Sequence, residues 1–182
     1  MVKNNLINLG VLGGSFDPPH KGHVYISKKS IKLFKLKKVI WAITEKNPLK
    51  KKTFFSLKIR KILCRKLIKK DHKIILKHYD KKLKSKNTID LIKFLKKLKK
   101  YNIFFIIGSD NLVNFHKWKN YKDLLNMCNF IVFSRKGFDT KAKKSVIKRS
   151  LNRKNIKFIE NLKIDISSTQ LRTKIINGSK KN

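Results

Sequence analysis

The sequence predicts an α/β fold, a Rossmann-like doubly wound parallel sheet built as one domain over residues 1–182. Three observations carry this. Short apolar runs rich in Ile, Val and Phe alternate with longer amphipathic runs, as strands alternate with crossover helices. Ile103–Ile107 is continuously apolar, which suits a parallel strand covered on both faces. No internal repeat and no Pro/Gly/Ser linker interrupts the 182 residues, a length that suits one core rather than two.

Each element follows from its local pattern. LINLGVLG (6–13) reads as the first buried strand. From His23 to Phe34, Val24, Ile26 or Ser27, Ile31 and Phe34 recur at helical spacing. KVIWAIT (38–44) is a second strand. Ser56–Ile68 places Leu57, Ile59, Ile62, Leu63 and Leu67 at helical spacing behind a Ser cap. KIILKH (73–78) is a third strand, and Thr88–Leu98 is a helix with Ile89, Ile92, Leu95 and Leu98 on one face. NIFFIIG (102–108) is the fourth strand, followed by helical pieces at 111–116 and 121–126. NFIVFS (129–134) is the fifth strand, 141–151 a helix, IKFIEN (156–161) a sixth strand and 169–176 a last helix. Ligands of such folds bind beyond the carboxyl ends of the strands, so the loops after strands one, two, four and five are where to look.

Composition narrows the class. Hydrophobic residues make up 41% of the chain, enough to fold. No run approaches the length of a membrane span, and the N-terminus lacks the apolar core of a signal peptide. Cys64 and Cys128 stand alone, as reduced thiols of a cytoplasmic protein do. The net charge of +38 has two readings. One is neutralisation of nucleic-acid phosphates. The other is compositional drift, since Lys travels with Ile, Asn and Phe, all encoded by A/T-rich codons. The lysines are spread over every segment, without an Arg-rich tract, so no specific nucleic-acid partner is expected. The sequence is compatible with a homo-oligomer.

GVLGGSFDPPHKGHV (10–24) stands apart from this bias. Gly13 and Gly14 allow a tight turn and close approach of a ligand to the backbone. Pro18 and Pro19 stiffen the turn. His20, Gly22 and His23 then meet a helix N-terminus, where N–H groups and the helix dipole favour an anion. Protonated or hydrogen-bonding imidazoles would face phosphate oxygens there, with Gly22 keeping the space between the rings open. Zinc is the rival, but only Asp17 stands near as a further ligand and the spacing is not HExxH. The loop is neither GxxxxGK[ST] nor GxGxxG. Near the other end, DISSTQLRTKI (165–175) offers Ser167, Ser168 and Thr169 at a helix start and Arg172 one turn on. Hydroxyls and free N–H groups there suit phosphate, and a guanidinium can fork onto its oxygens.

GGSFDPPHKGH resembles the HxGH signature of the nucleotidylyltransferase superfamily, most closely that of bacterial nicotinate-nucleotide adenylyltransferases, and ISSTQLR resembles that family's ISSTxIR with Leu171 for Ile. The resemblance implies a nucleotidylyltransferase fold. It implies that Gly13, Gly14, Ser15, Phe16, His20, Gly22 and His23 hold ATP phosphates, together with Ser167, Ser168, Thr169 and Arg172. His20, His23 and Arg172 would carry the catalytic charge stabilisation, with Asp17 shaping the loop rather than acting as a base. IIGSDNLVNFHKW (106–118) resembles the family's GxD followed by Trp. It implies that Gly108 and Asp110 serve ATP, Asp110 also the second substrate, and that Trp118 lies over the nicotinate ring. SKNTIDLIKFL (85–95) resembles YTxDTL with Asn87 for Tyr and Leu91 for Thr, and implies that Thr88 receives the nicotinate carboxylate. NPLKKK (47–52) stands where the family has a basic loop, with Lys50 on the mononucleotide phosphate. SRKGFD (134–139) resembles an RPG-type loop with Lys136 for Pro, and Arg135 would close the ATP side. The implied reaction joins ATP and nicotinate mononucleotide into nicotinate adenine dinucleotide and pyrophosphate, in NAD biosynthesis. Mg²⁺ would be carried by the ATP phosphates, with no protein metal site. Sister transferases acting on pantetheine phosphate or nicotinamide mononucleotide are the nearest alternatives.

Overall fold

The computed structural model describes residues 6–46, 52–144, 155–160 and 167–179. Six strands form one sheet: β1 (Ile7–Gly14), β2 (Lys38–Ile43), β3 (Ile74–Lys77), β4 (Tyr101–Gly108), β5 (Asn129–Phe133) and β6 (Ile156–Ile159). Their order is β3-β2-β1-β4-β5-β6, and every pairing is parallel. The chain therefore winds first one way from β1 and then the other, and the order reverses between β1 and β4. That switch leaves a crevice beyond the carboxyl ends of these two strands.

The helices are α1 (Lys21–Leu33), α2 (Leu57–Ile68), α3 (Asp80–Leu83), α4 (Thr88–Lys97), α5 (Ser109–Val113), α6 (Tyr121–Met127), α7 (Asp139–Lys143) and α8 (Ser168–Ser179), with a 3₁₀ turn at Phe115–Lys117. The expected helix at 141–151 is described only as α7, and the rest of it lies outside the described residues. Among the described residues no helix is long and apolar enough to cross a membrane.

Side chains alternate across the strands and feed two cores. Leu9, Val11, Ile103, Phe105, Ile107, Phe130 and Val132 pack on one face with Ile89, Ile92 and Leu95 of α4. Leu12, Val39, Trp41, Ile43, Ile106, Ile131 and Phe133 pack on the other with Cys64 and Ile68 of α2. Gly10 leaves room for side chains from β2 and the turn before it: a Cβ there would stand 2.8 Å from Val39 Cγ2 and 2.9 Å from Leu36 Cδ1.

α2 departs from its expected face. Ile59 and Ile62 are 44% and 53% exposed, and the buried stripe is Arg60, Cys64 and Ile68. Leu57 and Leu67 of the expected set do pack half-buried on the core, while Arg60, bonded to main-chain carbonyls, takes a buried place the spacing does not predict. Ser56 does cap this helix, its Oγ accepting from Ile59 N–H at 3.4 Å.

Candidate active site

The loop after β1 does not turn where the glycines stand. Gly13 and Gly14 are still in the strand, paired with Ala42 and Ile43 of β2. The left-handed step falls on Phe16, at φ +49°. A non-glycine residue there costs about 1 kcal/mol or more. Burial of the ring offsets it: Phe16 is 3% exposed and stacks on Trp41, centroids 4.9 Å apart. Gly13 and Gly14 line the cavity beside Ser15, and what they contribute is a wall with no side chains.

Asp17 is consumed by the fold. Its carboxylate accepts the N–H groups of Phe54 at 2.6 Å and Phe55 at 2.9 Å. The Asp17–Pro18 peptide is cis.

His20 and His23 flank Gly22 at the start of α1, but the rings touch rather than stand apart, with centroids 3.8 Å apart. His20 N–H donates to His23 Nδ1 at 3.2 Å. That bond makes Nδ1 an acceptor, so a neutral His23 carries its proton on Nε2. Burial, then the nearby Arg135 charge, lowers the His20 pKa to about 4. His23 is also held well below the usual value, by burial first and then by His20 and Arg135. Of the two expected forms, protonated or hydrogen-bonding, both rings are neutral donors at pH 7. His20 Nδ1 is buried with no partner.

The C-terminal motif docks directly onto this loop. Ser167 and Gln170 cap α8 reciprocally, Gln170 N–H donating to Ser167 Oγ (3.2 Å) and Ser167 N–H to Gln170 Oε1 (2.7 Å). Ser168 Oγ donates to Pro18 O at 2.8 Å. Arg172 donates through Nη1 to Asp17 O and through Nη2 to Thr169 Oγ1 at 2.9 Å. Residues 150 positions apart thus meet across one hydrogen bond.

The ends of β4 and β5 supply the next wall. Arg135 pairs with Asp110 at 2.6 Å. Gly108 makes room for that carboxylate, since a Cβ there would collide with Asp110 Oδ1. Asp139, unremarked in the sequence, ties this wall together: it accepts from Ser109 Oγ (2.7 Å), from Ser134 Oγ and from Arg135 N–H (2.9 Å). Its signal was available, as acids number only 10 in this chain.

The opposite wall is formed by Thr88, Leu91 and Trp118. Thr88 opens α4, whose N-terminus has no side-chain cap. Asn87 lines the cavity too, its amide and its backbone N–H both donating to Ser85 Oγ at 3.1 Å. Trp118 is half-buried, held by Phe115 (centroids 4.9 Å) and edge-on by Phe105 (5.9 Å). Lys50 lies outside the described residues.

All these walls face one cavity of about 1030 Å³. That is the upper end of ordinary ligand pockets, and room for two nucleotides rather than one small ligand. Both histidines, Arg172, Arg135, Asp110, Thr88 and Trp118 line it, as do Phe16, Gly22, Gly108 and Ser167–Thr169. Among the described residues no cluster of three or more His, Cys, Asp or Glu is placed to hold a metal ion.

A doubly wound parallel sheet whose cavity lies beyond the switch point, against the N-terminus of α1, defines a nucleotide-binding α/β protein. The cytidylyltransferase-like family matches residues 11–174. A probable nicotinate-nucleotide adenylyltransferase of Pelagibacter ubique (strain HTCC1062) is 47% identical over 178 residues, 94% of this chain and 99% of that protein. One of Clostridium novyi (strain NT) is 36% identical, covering 92% of this chain and 86% of its own. The structure of Plasmodium falciparum nicotinic acid mononucleotide adenylyltransferase complexed with NaAD superposes with a TM-score of 0.73 at 25% identity, over 92% of this chain and 83% of that one. The chain belongs to the cytidylyltransferase-like family, among its nicotinate-nucleotide adenylyltransferases.

Proposed function

We propose that this enzyme transfers the adenylyl group of ATP to nicotinate mononucleotide, with the residues of the cavity in the following roles. One observation carries the assignment. The HxGH loop and the ISSTQLR helix, from opposite ends of the chain, are hydrogen-bonded to each other around a single cavity whose far wall is Trp118 and the α4 N-terminus. The near wall suits ATP phosphates, and the far wall suits a flat aromatic ring bearing a carboxylate.

The mononucleotide phosphate oxygen attacks the ATP α-phosphorus. A new P–O bond forms, the α–β bridge breaks, and its electron pair leaves with pyrophosphate. The nucleophile is already ionised near pH 7, so no general base is required of the protein, and Asp17 is engaged elsewhere. Catalysis then consists of positioning and charge stabilisation. His23 Nε2–H and the imidazole of His20 donate to oxygens on which charge builds. Arg172 has five N–H donors and spends two on Asp17 O and Thr169 Oγ1, leaving the rest for phosphate. Arg135, anchored by Asp110, faces the same side.

Mg²⁺ would be carried by the ATP phosphates and would supply charge neutralisation there. The carboxylates that line the cavity, Asp17, Asp80, Asp110 and Asp139, are each engaged by protein donors, which suits a metal carried by the substrate.

The pyridinium of the mononucleotide stacks on Trp118, worth about 1–2 kcal/mol. Its carboxylate meets the uncapped N–H groups and hydroxyl at Thr88, where the helix dipole favours an anion over a neutral amide. Work in the cytoplasm is part of the same proposal, supported by two buried, unpaired thiols, Cys64 and Cys128. Pyrophosphate release from ATP on addition of nicotinate mononucleotide tests the reading. Release with phosphopantetheine in its place, and none with nicotinate mononucleotide, would overturn it.

A further inference from the structure

Arg60 is the most deeply buried charged residue described, at 1% exposure, and it is absent from the cavity wall. Its hydrogen-bond partners are all main-chain carbonyls. Nε donates to Phe55 O (3.0 Å), Nη1 to Ser15 O (2.6 Å) and Thr44 O (2.9 Å), and Nη2 to Glu45 O (2.7 Å). Desolvation lowers its pKa, and the charge of Asp17 partly offsets this. A guanidinium stays charged even so, and a buried charge without a carboxylate partner is costly unless its donors are satisfied.

Those carbonyls belong to separate segments. Ser15 is in the phosphate loop, Thr44 and Glu45 follow β2, and Phe55 precedes α2. Asp17 complements Arg60 from the other side, taking the N–H groups of Phe54 and Phe55 while Arg60 takes a carbonyl. The chain of bonds continues. Asp80 Oδ2 accepts from Thr44 Oγ1 and Glu45 N–H, both at 2.8 Å. Glu45 pairs with Lys86 at 3.0 Å. Ser85 and Asn87, on either side of Lys86, are bonded to each other, and Ser85 Oγ donates to Asp90 of α4. An unbroken series of contacts therefore runs from the loop assigned to ATP to the turn that presents Thr88.

We propose that Arg60 is a positioning residue for adenylyl transfer: it fixes the separation of the ATP-phosphate loop and the mononucleotide wall, touching neither substrate. The inference rests on the two-substrate reading above. In-line attack needs the reacting atoms within a few tenths of an ångström of one arrangement, and a displacement of about 1 Å costs on the order of a hundredfold. Lysine cannot substitute, because an ammonium has three donors where the guanidinium meets four carbonyls.

The test uses Arg60→Lys and Asp80→Asn, the second weakening the next link, since an amide oxygen accepts less strongly than a carboxylate, while leaving Arg60 in place. Binding of a non-hydrolysable ATP analogue and of nicotinate mononucleotide, each alone, is measured beside kcat on protein shown folded by circular dichroism. Arg60→Lys is expected to lower kcat about tenfold to a hundredfold. Asp80→Asn is expected to lower it about fivefold, with both dissociation constants within about threefold of the parent. If Arg60→Lys does not fold, Asp80→Asn decides. Unchanged kcat in the folded variants, with only a lower melting temperature, overturns the proposal. So does a fall in kcat matched by loss of binding at either wall. An inactive parent enzyme would instead overturn the two-substrate reading, whatever the variants do.

Discussion

Replacing His23 separates the two things its ring does. Nδ1 accepts from His20 N–H at 3.2 Å and so belongs to the fold, while Nε2–H is left for the substrate. Asparagine places its Oδ1 where Nδ1 stands, and glutamine places an N–H where Nε2 stands. His23→Asn should therefore keep the His20 bond and lose the donor. A single donor to developing charge is worth about 2.7–4 kcal/mol, a loss of roughly 10²–10³ in kcat. The stability cost should be about 1–2 kcal/mol, from contacts of the ring with Phe16 (centroids 5.0 Å) and His20 (3.8 Å). His23→Gln should do the reverse. It retains a neutral donor and more of kcat, but strands His20 N–H at about 1–3 kcal/mol. Initial rates of pyrophosphate formation at saturating ATP and nicotinate mononucleotide, beside thermal melts, measure both. A folded His23→Asn variant with kcat within about threefold of the parent would refute the donor role. Glutamine as inactive as asparagine would refute the neutral form of the ring.

Three more outcomes follow from the cavity. Stability should fall with acid: His20 titrates at about 4 folded and 6.5 unfolded, so the unfolded state binds more protons in between. The loss begins as pH drops through 6.5 and is complete near 4, worth about 2 kcal/mol after allowing for solvent in the cavity. Chemical denaturation at pH 7 and pH 4.5 of the parent and of His20→Asn checks it, the variant showing the smaller drop. Trp118→Ala should raise the Michaelis constant for the mononucleotide about 5- to 30-fold and leave that for ATP within about twofold; an unchanged constant removes the stacking role. Arg172→Lys keeps the charge but loses the fork, and should lower kcat/KM for ATP about tenfold with the fold intact, read by the same assay.

The sheet was legible because burial on both faces leaves apolar runs that composition bias toward Lys could not disguise. All six strands fall within two residues of their expected bounds at every described end. The helices were harder. α2 carries isoleucines on its exposed side, and Arg60 takes its buried place through tertiary contacts that the spacing does not predict. α3 is four residues long and has no period to detect. In the site, motif residues were legible one by one, but their mutual fixation was not. That Phe16 makes the turn, that the imidazoles touch, and that Asp139 and Asp80 gather loops from distant segments are long-range facts. Arg60 had one sequence signal, being among only six arginines in 48 basic residues. Its place inside an amphipathic pattern hid it.

The uncapped start of α4 beside Trp118 makes the choice between acid and amide the sharpest question to put to this enzyme. The deciding measurement is the ratio of kcat/KM for nicotinate mononucleotide to that for nicotinamide mononucleotide, with ATP saturating. A carboxylate at a helix N-terminus that also gains hydrogen bonds from the Thr88 wall predicts a ratio of roughly ten or more in favour of the acid. A ratio below one would contradict the account at its centre.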